Sequence, residues 1–158
     1  MSTPAVFAIE MTLRAEEIET AVNRIVKLAG REASREVVDL TPVDTSRAIS
    51  NWTGSLGGPV SGIKPAVSPG EYGSTAAASS SSTKSTIWAA IRGRRTGQDI
   101  WISNNLPYIN DLNVGNIKPR SSRPGVPAPT RVPYPRFAER AVQFGALAVV
   151  QNSRKIFK

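Results

Sequence analysis

The chain has 158 residues, a formal net charge of +8, 40% apolar and 6% aromatic residues, and neither cysteine nor histidine. Disulfides, thiolate metal sites, the usual zinc ligand sets and Ser-His-Asp or Cys-His nucleophile pairs are therefore excluded, leaving only carboxylate chemistry or a Mg²⁺ site open in principle. The length fits one domain over 1–158 with an aliphatic core, and no apolar run is long enough to span a membrane.

Residues 1–12 are expected to form an N-terminal arm, extended or frayed over Met1–Phe7, with neither the basic nor the apolar region of a signal peptide. Leu13–Leu40 reads as one long amphipathic helix. Its apolar positions Ile18, Val22, Ile25, Val26, Ala29, Ala33, Val37 and Leu40 keep to one face at the helical period. Glu10–Arg14 and Arg35–Asp39 are spaced as i,i+4 ion pairs. Gly30 marks a kink or a close helix crossing.

Pro42 ends this helix, because the residue before proline is pushed out of the α region. Asp44 is placed to cap a short helix reaching about Ser50. Trp52–Leu56 reads as a strand. Gly57–Ser74, rich in Gly and Pro, reads as an irregular excursion. A helix ending at Arg92 is expected to begin near Ser74 or Ser82; the alternative is a flexible linker over 75–84. Arg92, Arg94 and Arg95 flank a turn and read as solvated, or as a contact for an acidic partner surface.

Gln98–Ser103 is the clearest strand, with Ile100 and Ile102 on one face and Trp101 on the other. Pro107 suits the first turn of a helix with Asn105 as its cap, Tyr108, Ile109 and Leu112 on the buried side and Gly115 at its end. Asn116–Arg136 holds six prolines and five bases and reads as an extended arm or loop. Its Lys118, Arg120, Arg123, Val126, Arg131 and Tyr134 are candidate contacts to a neighbour; a free linker is the alternative. Phe137–Phe157 closes the chain as a helix with Phe137, Ala141, Phe144, Leu147 or Ala148 and Val150 or Gln151 around its face, interrupted by Gly145. The pattern predicts an α+β fold, the long N-terminal and C-terminal helices packed on a small antiparallel sheet with long Pro/Gly-rich loops.

Charge is unevenly placed. Residues 1–60 carry eight acids and six bases, and residues 61–158 carry four acids and fourteen bases. A basic C-terminal third attracts phosphates or acidic protein surfaces.

Thr41-Pro42-Val43-Asp44-Thr45-Ser46-Arg47-Ala48-Ile49-Ser50-Asn51-Trp52 resembles the TPVDTGRxxxNW element of phage neck and tail-completion proteins. Thr41, Pro42, Val43, Asp44, Thr45, Arg47, Asn51 and Trp52 carry the match. Ser46 stands where that family usually has Gly, so the turn is not expected to need a positive φ. A second stretch, Ile102-Ser103-Asn104-Asn105-Leu106-Pro107-Tyr108 with Leu112 and Gly115, is similar to the family's isNnlPYxxxLexG element, with Asn113 where an acid is common. The resemblance covers about Leu13–Gly115 and implies a virion structural protein of the neck. It implies a homo-oligomeric ring, a hexamer or a dodecamer, between connector or head-completion proteins and the tail terminator or tail tube. DNA would only pass through the channel, for which Arg92, Arg94 and Arg95 are candidate lining or inter-ring contacts, and no cofactor, membrane or enzymatic activity is implied. The virion neck is the expected location, after assembly in the host cytoplasm. A tail terminator capping the tube is one alternative, and a sequence-independent DNA-binding protein another.

Overall fold

The computed structural model describes residues 3–117 and 135–156. Along the chain lie α1 (Pro4–Leu40), α2 (Arg47–Ser50), β1 (Thr53–Leu56), α3 (Ala76–Ile91), β2 (Ile100–Ser103), α4 (Ile109–Val114) and α5 (Phe137–Ile156). The fold is α+β, and β1 and β2 pair antiparallel with Thr53 opposite Ser103 and Leu56 opposite Ile100.

Helix α1 starts nine residues earlier than the periodicity predicts. Thr3 supplies the reason: its hydroxyl accepts from Val6 N–H, and Pro4 occupies the first helical turn, where its missing N–H costs nothing. The expected extended arm is thus helical from Pro4 onward. Neither predicted i,i+4 ion pair forms. Arg14 pairs with Glu17 at 3.4 Å, and Arg35 pairs with Glu36, by a hydrogen bond, and with Glu32, which raises its pKa. Asp39 instead reaches across to Lys84 at 2.7 Å and accepts from Ser80 on α3.

Helix α5 lies antiparallel on α1. Phe137 at its start meets Trp52 edge-on, with ring centroids 6.4 Å apart, beside the end of α1. Gly145, further along, abuts Ala29 and Ala33. A Cβ at Gly145 would stand 2.9 Å from the Ala29 carbonyl oxygen, so glycine permits the crossing and does not interrupt the helix. This contact also corrects the expected buried face of α5. Phe137, Ala141 and Gly145 are buried, whereas Phe144, Leu147 and Val150 are exposed. Their spacing permitted either face; the close approach of two helix backbones selected the small residues.

Helix α3 is continuous from Ala76 to Ile91, so the linker alternative over 75–84 does not hold. It runs antiparallel to α1, tied by Asp39 to Lys84 and by the Arg31 guanidinium stacked 5.2 Å from the Trp88 ring. Its other side rests on β1, where a Cβ at Gly54 would stand 2.7 Å from Ile87. Gly30 marks a close approach as expected, made by Ile100 of β2 and Ile91 of α3. Ile100 and Ile102 face inward while Trp101 is exposed. The core is aliphatic, built on Val37, Val38, Ile49, Ile87, Ile91, Leu106 and Leu112, with Trp52 and Phe137 as its buried rings.

Candidate assembly surfaces

The Thr41–Trp52 element folds as a joint at the end of α1. Thr41 donates its hydroxyl to the Val37 carbonyl and accepts the indole N–H of Trp52 at 2.8 Å. One buried hydroxyl thus closes the last turn of α1 and fixes the main aromatic anchor. Such paired burial avoids the cost of an unsatisfied donor.

Two expectations for this joint are overturned. Ser46 takes a left-handed conformation, φ 62°, so the turn does need a positive φ. Its hydroxyl bonds to Thr75 at 2.9 Å and its carbonyl accepts from Ser50, contacts that hold the conformation against its steric cost. Asp44 does not cap α2, whose N-cap position is Ser46. The Asp44 carboxylate instead accepts from Tyr72 N–H at 3.2 Å, and its carbonyl accepts from Gly73 N–H. Asp44 therefore ties the Gly-rich excursion back to the joint.

Asn51 anchors the same excursion nearer its middle, at Lys64. It accepts from Lys64 N–H at 2.7 Å and donates to the Lys64 carbonyl at 2.9 Å, while also donating to the Arg47 carbonyl. Pro42 is half-buried, Thr45 and Arg47 are exposed, and Arg47 forms no ion pair among the described residues. Thr45 and Arg47 line an open groove with Ile63, Lys64, Pro69 and Glu71.

The second element packs directly on the first. Asn104 donates to the Ala48 carbonyl at 2.9 Å and accepts from Leu106 N–H, so Asn104 shapes this turn. Asn105 does not cap α4; it donates to the carbonyls of Val60 and Gly62. Pro107 sits in the turn before α4, Leu112 is buried, and Gly115 ends the helix at φ 83°. Tyr108 is half-buried; burial raises its pKa, opposed by the nearby Arg47 charge.

Asn113 has a role that the sequence pattern does not reveal. Its carbonyl oxygens and amide grip the start of α5. Oδ1 accepts from Ala138 N–H at 3.0 Å, Nδ2 donates to Glu139 at 2.9 Å, and the backbone oxygen accepts from Arg136 N–H. This is a helix cap supplied from another element. The Asn113 hydrogen bond holds the Glu139 carboxyl below its ordinary range. An acid at 113 would place like charges together, so the amide fits this contact better than the acid of the resembled element.

The basic residues divide. Arg92 and Arg95 are exposed, as expected of a turn. Arg94 is only 8% exposed and is neither solvated nor available to a channel. It donates to the Gln98 carbonyl and to Asn23 Oδ1, while Asn23 donates back to the Arg94 carbonyl. Arg94 thus staples the α3–β2 turn to α1. Lys118, Arg120, Arg123, Val126, Arg131 and Tyr134 lie outside the described residues.

Among the described residues, an extended exposed surface lies at the start of α1. Every residue from Thr3 to Thr20 is exposed, including Val6, Phe7, Ile9, Met11, Leu13 and Ile18. A second apolar surface is the outer side of α5, with Val142, Phe144, Leu147 and Val150 between 45% and 68% exposed. Apolar surface at this density marks interaction sites. Among the described residues no helix is long and apolar enough to cross a membrane, and no cluster of acidic side chains is arranged to hold a metal ion. Compared with protein-family models, curated proteins and solved structures, the chain matches none.

Proposed function

We propose that the protein is a structural subunit of a phage neck, forming a ring between the connector side and the tail and completing the tail end for head–tail joining. The observation that carries this reading is the direct contact of the two motif elements. Asn104 of the second bonds to Ala48 of the first, and Thr53, next to Trp52, bonds to Ser103 at 3.0 Å. The residues behind the resemblance thus form one structural unit. That unit positions helices whose exposed apolar surfaces need neighbours.

Its chemistry is assembly: burial of apolar area supplies the energy, and charge selects partner and orientation. Particles made without the protein should show separate heads and tails by negative-stain microscopy. Normally joined particles would rule the neck out. Unattached tails of abnormal length would instead assign the protein to tail termination. Tight, steeply salt-dependent binding of the isolated protein to any duplex would favour DNA binding.

A further inference from the structure

We infer that the exposed start of α1 docks on the outer side of α5 of a second copy of this chain, head to tail. This rests on the ring reading above and names the surfaces by which the ring closes.

The arm is a continuation of a packing face already in use. Phe7, Met11, Ile18, Val22, Ile25 and Ala29 follow one another at spacings of 4, 7, 4, 3 and 4, a single helical stripe. At Ala29 this stripe meets α5 of its own chain through Gly145. Because α5 runs antiparallel and ends at Ile156, its cover on α1 runs out near residue 20, where full exposure begins. The remaining seventeen or so residues project about 25 Å with the stripe bare. An isolated helix of that length is marginal in water, so a partner would stabilise it.

Charge chooses the partner. Residues 3–20 hold Glu10, Glu16, Glu17 and Glu19 against Arg14, a net charge of −3. Residues 136–156 hold Arg136, Arg140, Arg154 and Lys155 against Glu139, a net charge of +3. Pairing two arms would oppose −3 to −3; laying an arm on α5 opposes −3 to +3. The apolar surfaces match as well, Phe7, Met11 and Ile18 on the arm against Phe144 and Leu147 on the outer side of α5. An arm-on-α5 contact uses two different surfaces, so each copy carries one free end of each kind. Such heterologous contacts propagate around a closed ring when the rotation permits.

The chain has no cysteine, which makes disulfide trapping clean. Met11 and Leu147 lie near the middle of the two surfaces, so the pair reports docking in either helix direction. Within one chain they cannot meet. Gly145, two residues before Leu147, abuts Ala29, which is about 27 Å along α1 from Met11, while Leu147 faces away from α1, so the two positions are far beyond disulfide reach. The full-length M11C/L147C double variant should therefore give a ladder of covalent multimers on mild oxidation, and M11C or L147C alone should give none. In parallel, F7D/M11D should weaken self-association about 100-fold by sedimentation, with an unchanged circular-dichroism spectrum of the monomer, both side chains being exposed.

Cross-linking of M11C alone would overturn the inference in favour of arm-on-arm pairing. Oligomers without a ladder, unaffected by F7D/M11D, would overturn it and leave the ring reading standing. A protein monomeric at every concentration would overturn both.

Discussion

Ser46 holds a left-handed backbone conformation that L-residues adopt at a cost of roughly 1–2 kcal/mol. It keeps this conformation because its hydroxyl bonds to Thr75 and its carbonyl to Ser50. Ser46→Gly relieves the strain and forfeits the hydroxyl bond, so the net change in unfolding free energy should stay within about 1 kcal/mol. Ser46→Val adds a β-branch at positive φ and loses the same bond, and should cost about 2 kcal/mol or more; urea midpoints measure both. Glu139 provides the pH test. Its folded carboxyl is held low, first by Asn113 and then by its own helix backbone, so its stabilising contribution is present above the ordinary glutamate range. That contribution is lost as pH falls through the folded value. Thermal unfolding of wild type and E139Q should therefore converge in acid and separate near neutrality, with wild type the more stable. Trp52→Phe keeps most of the ring and removes the N–H donor to Thr41; a loss of about 1–3 kcal/mol is expected from denaturant titration.

At the scale of elements, the α1·α5 crossing is sensitive to side-chain size. Any side chain at 145 meets the Ala29 carbonyl and Ala33, backbone and Cβ atoms that have no flexible end to yield. Gly145→Val should lower stability by about 1–3 kcal/mol or more through displacement of α5, whereas Ala146→Val, on the exposed side, should be near neutral. The periodicity of α5 made it recognisable as a helix but did not show which side is buried. Its apolar residues spread over more than one side, and the narrow approach to α1 is a fact about two backbones. Helix α3 illustrates the reverse case. A serine-rich sequence with weak intrinsic propensity is held helical because Ile87 and Ile91 are buried on β1 and Lys84 pairs with Asp39.

At the scale of the whole molecule, the projecting arm makes helix order a reporter of assembly. Amides of residues 4–20 should exchange with little protection in dilute monomer and become protected as the protein associates, while α3 remains protected throughout; hydrogen exchange against concentration reads this directly. Because periodicity and turn chemistry are local, the residues alone made legible the fold class, the long helix with its stop at Pro42, the two strands and the end of α4 at Gly115. The residues of the joint, Asn51, Trp52 and Asn104, were legible too, though without their partners. Packing between distant segments is what makes Asp44 bind Tyr72, buries Arg94 against Asn23, turns Asn113 into the cap of α5 and leaves Phe144 and Leu147 facing outward. Each of these depends on a partner 25 or more residues away or on the space between two backbones, and no local pattern encodes either.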